Sequence, residues 1–229
     1  MALAAQRRRR SEEELRELSP ADGLISGIGT VNAAQFGTQA SRCMALAYDY
    51  TVFAGTQGML NHKKTDRMLG LAEQWRLPLV LFAEGGGGRP GDSDFVGVAG
   101  LDCHTFVGMA KLSGLVPLVG VVSGRCFAGN AALLGCCDVI IAAQDASIGM
   151  AGPAMIEGGG LGRFSAEQVG PVSVQGPNGV IDILVEDEAA AVQAAKQYLS
   201  YFQGPLSDWQ CADQRLLRQL IPENRLRVY

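Results

Sequence analysis

Three continuous apolar runs recur along the chain, and each ends in a stretch rich in glycine. They cover residues 77–83, 115–122 and 139–143. A run without polar alternation is typical of a strand buried on both faces, as in a parallel sheet covered by helices. Helical patterns over residues 94–113 and 129–136 follow the first two runs. This alternation predicts an α/β fold with a largely parallel sheet and functional loops at the strand ends.

Weaker patterns predict the elements around this repeated unit. β-Branched and aromatic residues between glycines indicate a hairpin or meander. Opposite charges three and four residues apart indicate a solvated surface helix. By these criteria and by apolar spacing, the chain has a charged helix over residues 6–18, a hairpin or meander over 22–31 and 43–54, an amphipathic helix over 59–75, a strand over 180–185, an alanine-rich helix over 186–202 and a polar, loop-like end over 204–229.

Length and composition exclude several classes of protein. With 229 residues the chain fits one large α/β domain. Its net charge of −4 and its ordinary composition do not indicate a nucleic-acid binder. The apolar runs are too short to span a bilayer, and four arginines follow a very short apolar start, which is the reverse of a secretory signal. We therefore expect no membrane association and a location in the cytoplasm or an organelle matrix.

The cysteines and histidines do not indicate a disulfide framework or a metal site. Six cysteines without paired spacing are typical of reduced, buried thiols. Cys103 and His104 are adjacent and suggest a metal ligand or a nucleophile, yet the only other histidine is His62 and no cluster has zinc spacing. We expect no bound metal.

Thirty glycines concentrate after the predicted strands. The loops over residues 85–89 and 124–129 each lead from a strand towards a helix. Main-chain N–H groups in such turns suit an anion, either a phosphate or an oxyanion. The same glycines also suit a tight turn without any ligand. Taken loop by loop, both interpretations stay open.

Several motifs together resemble one known family. Residues 55–58, G-T-Q-G, precede a helix with the sequence K-T-D-R-M-L-G-L-A over residues 64–72, where the family has G-x-x-G followed by K-x-x-K-x-M-x-x-A. The sequence G-G-G-G-R over residues 85–89 corresponds to S-G-G-A-R, and G-R-C-F-A-G-N over residues 124–130 corresponds to G-P-C-A-G-G-A. The later G-P-A turn at residues 152–154 and the closing I-P-E-N at 221–224 are also similar to the family.

These motifs resemble the N-terminal half of the carboxyltransferase subunit of biotin-dependent acyl-CoA carboxylases, such as propionyl-CoA and acetyl-CoA carboxylases. This family is a branch of the crotonase superfamily, and the resemblance runs from about Asp22 to the last residue. It implies an α/β, crotonase-like stack of β-β-α turns. We then expect a charged helix over residues 1–20, an acyl-CoA-binding domain over 21–203 and an extension over 204–229 that leads to an absent second domain.

The resemblance also implies an oxyanion hole made of main-chain amides. One donor would be Gly86 or Gly87, and the other Ala128 or Gly129. Together they would stabilise the charge that forms on a thioester carbonyl oxygen when the α-proton is removed.

Basic side chains near these loops are candidates for coenzyme A. Lys63, Lys64 and Arg67 would meet its phosphates, or they form an ordinary solvated helix face. Arg89 would contact phosphate or brace its own loop.

Two missing carboxylates separate the chain from the hydratases of the superfamily. Those enzymes use two glutamates, at positions that hold Ala132 and Ala154 here, so a proton carrier for hydration is lacking. A hydrolase is also disfavoured, because neither histidine lies near a G-x-S-x-G motif. Carboxyl transfer agrees with these absences. In the family, carboxybiotin releases carbon dioxide, the biotin anion takes the α-proton of the acyl-CoA, and the enolate attacks the carbon dioxide.

The resemblance finally implies cofactors and partners. The substrate would be a coenzyme A thioester, and biotin would be carried on a partner protein or domain. The expected partners are a second carboxyltransferase domain or subunit, a biotin carboxyl carrier, a biotin carboxylase and further copies of the chain in a homo-oligomer. Two alternatives stay open: a decarboxylase of a malonyl-type thioester, which would use the same oxyanion hole, and a non-catalytic module for coenzyme A binding or assembly.

Overall fold

The computed structural model describes residues 2–94, 103–206 and 210–219. Its strands are β1 (Leu24–Thr30), β2 (Arg42–Tyr48), β3 (Leu79–Phe82), β4 (Leu118–Val122), β5 (Arg125–Phe127), β6 (Val139–Ala143), β7 (Ser147–Gly149) and β8 (Ile183–Val185). Its α-helices are α1 (Glu12–Leu18), α2 (Ala33–Ala40), α3 (Met59–Trp75), α4 (Thr105–Lys111), α5 (Gly129–Leu134), α6 (Pro153–Gly158), α7 (Val172–Gln175) and α8 (Glu188–Ser200).

A six-stranded sheet organises the domain, with the order β1-β2-β3-β4-β6-β8. The β1–β2 pair is antiparallel and every other pair is parallel. A second, two-stranded parallel sheet joins β5 to β7, and Gly85 extends it through a bridge to Cys126. The units β4-β5-α5 and β6-β7-α6 therefore repeat one β-β-α turn. This architecture confirms the predicted α/β class and stack of β-β-α turns.

The central strands are apolar throughout because both of their faces are covered. In β4, Leu118 and Val122 belong to the main core, whereas Val119 and Val121 point to the opposite face and pack under α8. Helix α8 meets them with a stripe of small and apolar residues at every fourth position, Ala191, Ala195 and Leu199. Burying each valine or leucine of this contact contributes about 1.5–3 kcal/mol, and each alanine about 0.8 kcal/mol.

The elements near the N-terminus differ in part from the prediction. The hairpin exists, but α2 lies between its strands, and β2 ends at Tyr48 because a turn and the short 3₁₀ helix Phe53–Gly55 follow. Helix α1 starts at Glu12, six residues later than predicted, since Ser11 and Glu14 form a capping box. It is not fully solvated: Leu15 is buried against Leu3 and Ala4.

Other predictions lie partly outside the described residues. Within the predicted helix 94–113, residues 95–102 are not described, and α4 covers Thr105–Lys111. The I-P-E-N segment at 221–224 is also outside. All six cysteines are free thiols, as predicted, but their predicted burial holds only for Cys43 and Cys126, and Cys211 is exposed. Across the described ranges, no helix is long and apolar enough to cross a bilayer.

Candidate functional site

The two predicted glycine turns lie in direct contact. Strand β3 ends at Phe82, and its chain continues into residues 85–89; β5 ends at Phe127 and leads into α5. A Cβ placed on Gly87 would lie 2.5 Å from the Cβ of Ala128 and 3.2 Å from the nitrogen of Gly129. Gly87 also has a φ of +86°, which favours glycine. The sequence needs glycine at this position because the second turn packs against its backbone.

Hydrogen bonds show which amides of these turns are already used within the protein. The N–H of Gly86 donates to the carbonyl oxygen of Ala54 at 3.0 Å. The N–H of Gly87 donates to Oδ1 of Asn130 at 2.9 Å. The N–H of Ala128 donates to the carbonyl oxygen of Gly149 at 3.0 Å. Three of the four predicted donors therefore already have acceptors, which does not fit the assignment of Gly86, Gly87 or Ala128 to a ligand.

Within the described residues, one amide of the first turn and several of the second have no acceptor in the protein, and Gly129 is one of the latter. Within residues 2–94, 103–206 and 210–219, the N–H groups of Gly88 and Gly129 donate no hydrogen bond. Gly88 and Gln57 form a parallel β-bridge. The N–H of Gln57 donates to the carbonyl oxygen of Gly87 at 2.7 Å, and the carbonyl oxygen of Gln57 accepts from the N–H of Arg89 at 2.9 Å. In a parallel bridge the residue between two bonded neighbours directs its own N–H to the other side. The free donor of the first turn is therefore Gly88, one residue beyond the predicted pair.

The second turn has a strained backbone at its start. Ala128 has φ 50° and ψ −118°, a conformation that only glycine adopts at low cost. It immediately precedes α5 and leaves the amide of Gly129 at the first helical position. The ring of Phe127 packs beside this turn, 3.6 Å from the Cβ position of Gly149 and 3.5 Å from that of Gly152. The later glycines thus let the chain pass close to an apolar ring next to the free amide.

Asn130 joins the two turns, although it is not among the site residues predicted from the sequence. Its side chain is fully buried. Besides accepting from Gly87, its Nδ2 donates to the carbonyl oxygens of Gly55 and Glu84 at 3.2 and 3.3 Å. A polar residue directly after a glycine at the start of a predicted helix is the signal that could have found it, because such an amide needs several partners when buried.

The structure turns Arg89 inwards. Its guanidinium pairs with Asp22 and donates to the carbonyl oxygen of Thr56 at 2.9 Å, and its side chain is only 2% exposed. It also lies 5.1 Å over the ring of Phe53. Burial raises the pKa of Asp22, and Arg89 partly offsets this. Of the two predicted roles, Arg89 fills the second: it braces its loop and is not available to a phosphate.

The three cations of α3 divide between the interior and the surface. Lys64 donates through Nζ to the carbonyl oxygens of Ala21, at 2.6 Å, and Leu24, and burial lowers the pKa of this lysine. It therefore caps the start of β1 and does not reach outward to a phosphate. Lys63 and Arg67 are exposed on the helix surface.

Cys103 contacts His62, which lies on α3. The Sγ of Cys103 lies 3.1 Å from Nδ1 of His62, which is also 2.9 Å from Oγ1 of Thr105. Burial lowers the pKa of His62. In the part of the chain that the structure describes, no three His, Cys, Asp or Glu side chains are grouped to hold a metal ion.

Comparison with known proteins identifies the family of the chain. Residues 2–228 match the carboxyl transferase domain family. A biotin-dependent long chain acyl-coenzyme A carboxylase beta4 subunit of Mycobacterium tuberculosis is 29% identical over 79% of this chain and 33% of that protein. Among solved structures, a single-chain, multi-domain long-chain acyl-CoA carboxylase is 63% identical with a TM-score of 0.88, over 100% of this chain and 22% of the other.

A transcarboxylase 12S structure with hydrolysed methylmalonyl-coenzyme A bound is 25% identical with a TM-score of 0.67, over 87% of this chain and 38% of the other. This chain therefore spans between a fifth and two fifths of these relatives. The resemblance seen in the motifs is confirmed: the chain belongs to the carboxyl transferase domain family.

Proposed function

We propose that this chain is the acyl-CoA-binding half of a biotin-dependent carboxyltransferase. It would transfer a carboxyl group from carboxybiotin to the α-carbon of an acyl-CoA through an enolate. The observation that carries the proposal is the pair of free amides, Gly88 and Gly129, on two turns that touch each other.

In this mechanism the chain acts through its main chain. The N–H groups of Gly88 and Gly129 would both donate to the thioester oxygen, whose negative charge grows as the α-proton leaves. Fixed donors of this kind stabilise such a transition state by several kcal/mol. The apolar ring of Phe127 would keep water away from the developing charge. Carboxybiotin, when bound, would supply both the carbon dioxide and the base, so no carboxylate is needed at Ala132 or Ala154.

The proposed substrate is a long-chain acyl-CoA. The support is the 63% identity to a long-chain acyl-CoA carboxylase along the whole chain. The exposed cations Lys63 and Arg67 on α3 are proposed to contact the phosphates of coenzyme A. Lys64 and Arg89 are left out because they are less exposed than these two side chains.

The proposed partners are a second carboxyltransferase domain, a biotin carboxyl carrier and a biotin carboxylase. A single-chain, multi-domain arrangement in a relative supports their presence on one polypeptide. A homo-oligomer is also proposed, since the transcarboxylase 12S relative is described as a hexamer. The proposed location is the cytoplasm or an organelle matrix, where acyl-CoA pools and biotin-carrying proteins meet.

A carboxylation assay tests the function and separates it from the alternatives. The protein that carries this chain is incubated with biotin carboxylase, biotinylated carrier, ATP, radiolabelled bicarbonate and palmitoyl-CoA. We expect acid-stable label in the acyl-CoA, abolished by avidin. Release of carbon dioxide from malonyl-CoA without biotin would instead indicate the decarboxylase. Calorimetric binding of palmitoyl-CoA with neither reaction would indicate a binding module, and a preference for propionyl-CoA would refute the long-chain substrate only.

A further inference from the structure

We propose that Asn130 is a positioning residue that sets the relative placement of the Gly88 and Gly129 amides, and that Gly85 is the position that makes room for it. The inference rests on the proposed function. It concerns a side chain that touches neither substrate nor biotin and acts through the two turns.

The contacts of Asn130 involve both turns and the chain that supports them. The residue follows Gly129 directly, so its backbone belongs to the second turn. Its carboxamide accepts from the N–H of Gly87 at 2.9 Å and donates to the carbonyl oxygens of Gly55 and Glu84 at 3.2 and 3.3 Å. One planar group therefore fixes the first turn at its entry and at the residue before the proposed donor.

Burial makes this link stiff. Asn130 is completely buried, and its oxygen and nitrogen both have partners. A buried amide with its partners in place holds a single orientation, because any rotation would leave polar atoms without partners. A displacement of the first turn relative to the second is thereby opposed at three points of the main chain.

Gly85 provides the space that Asn130 occupies. A Cβ on Gly85 would clash with Nδ2 of Asn130 and with the carbonyl oxygen of Gly55, and would lie 2.7 Å from Cγ of Asn130. In the family motifs quoted above, the positions of Gly85 and Asn130 hold Ser and Ala. These two of the departures from the motifs are thus in contact: Asn130 has a larger side chain than the family's alanine, and Gly85 lacks the side chain of the family's serine.

The position of the donors decides the rate more than substrate binding. An oxyanion interaction strengthens as charge forms in the transition state, so its loss lowers kcat more than it raises KM. A misplacement of about 1 Å in an active site can cost about 10²-fold in rate. We therefore expect Asn130→Ala to lower kcat for carboxylation by about 10- to 100-fold, with KM for palmitoyl-CoA changed by less than about threefold.

Asn130→Asp supplies a readout that a merely structural role would not change. A protonated aspartic acid can still accept from Gly87 and donate to one carbonyl, whereas the carboxylate faces two carbonyl oxygens. Burial favours the protonated form. We expect kcat of this variant to approach the wild-type value at low pH and to fall as the pH rises, relative to the wild-type profile. A variant profile parallel to that of the wild type would overturn the assignment.

The experiment measures carboxylation by the intact protein for wild type, Asn130→Ala, Asn130→Asp and the control Ser19→Ala. Ser19 is buried and lies far from the turns in the sequence. Its hydroxyl accepts from the N–H of Ala4 and donates to the carbonyl oxygen of Leu15. We expect its loss to lower the melting temperature with kcat unchanged, which shows that lower stability alone does not produce the effect. Amide hydrogen exchange supplies a readout without substrate: the Gly87 amide should exchange faster in Asn130→Ala.

A double-mutant cycle tests the role of Gly85. Gly85→Ser should reduce kcat strongly in the wild type and by a smaller factor in the Asn130→Ala background, where only the clash with the carbonyl oxygen of Gly55 remains. Equal factors in both backgrounds would refute the spatial coupling. If wild type carboxylates but Asn130→Ala keeps its kcat and its Gly87 protection, the positioning role is wrong while the proposed function stands. If wild type gives no carboxylation, the function itself fails, and only the exchange data still test the link between the turns.

Discussion

The amide hydrogen of Gly88 is the atom on which the proposed chemistry of the first turn depends, so the sharpest perturbation removes that hydrogen alone. Proline at this position has no N–H. A Cβ on Gly88 meets nothing within 4 Å. The neighbouring bonds to Gln57, from the carbonyl of Gly87 and the N–H of Arg89, do not involve the Gly88 amide. The residue before the substitution is a glycine, which tolerates the restriction that proline places on its predecessor.

The expected effect follows from the value of one donor in an oxyanion hole. Removing such a donor lowers kcat by about 10²- to 10³-fold, or about 2.7–4 kcal/mol of transition-state stabilisation. The matched control is Gly88→Ala, which adds a side chain in open space and keeps the N–H. Its kcat should fall far less than that of Gly88→Pro, because the N–H is retained and the family motif quoted above has alanine at this position.

The assay is steady-state carboxylation of palmitoyl-CoA, with the melting temperature of each variant measured by circular dichroism. We expect Gly88→Pro to lose kcat with KM nearly unchanged, since the interaction forms mainly in the transition state. The reasoning is refuted if a folded Gly88→Pro variant, with a melting temperature close to that of Gly88→Ala, also matches its kcat. In that case the thioester oxygen is bound elsewhere.

Three further predictions concern the supports of the site. Arg89→Met leaves the carboxylate of Asp22 buried without its ion pair, so the free energy of unfolding should fall by about 3–5 kcal/mol in urea titrations; the exposed Arg67→Met should change it by about 0.5 kcal/mol or less. Ala128→Gly relieves the backbone strain and should raise the melting temperature, by an amount equivalent to about 1 kcal/mol; a lower melting temperature would contradict the strain. Burial raises the pKa of Glu84, partly offset by the N–H of Ser123. The folded state therefore holds this proton more tightly than the unfolded state, so stability falls as pH rises from the ordinary pKa to the raised one. Glu84→Gln should unfold at a higher temperature than wild type at neutral pH, and the difference should vanish in acid.

The sequence indicated the framework of the fold because the framework depends on burial. Residues 77–83, 115–122 and 139–143 contain β3, β4 and β6, and their unbroken apolar character reflects the two covered faces of the sheet. Short elements were less visible. Helix α2 has no buried residue, and β5 and β7 have three residues each, so none of them leaves a periodic signal that a sequence can display.

The sequence was enough to predict the two loops of the site, but not which amide in each loop lacks an acceptor. Glycine runs located both turns, yet whether the donor is Gly86, Gly87 or Gly88 depends on which peptide faces Gln57, and that is a property of strand pairing. In the same way, the residues next to Arg89 in the sequence do not show whether its guanidinium binds a phosphate or forms an ion pair inside the protein. Its partner Asp22 lies 67 positions away in the chain. Long-range partners of buried charges are set by the tertiary fold.

When the catalytic groups are main-chain amides, the rate depends on the residues that hold the main chain in place. No substitution of a side chain at Gly88 or Gly129 alters the donor itself unless it is proline, so Gly88 can differ from the family's alanine without loss of the N–H. The positions sensitive to exchange include the buried groups around the turns, Arg89 and Asn130, whose hydrogen bonds fix where the amides point. They also include Gly129, where a Cβ would clash with Oε1 of Gln57. Selection on the rate should then act on packing inside the domain, and variants that change the rate should map to buried contacts that never meet the acyl-CoA.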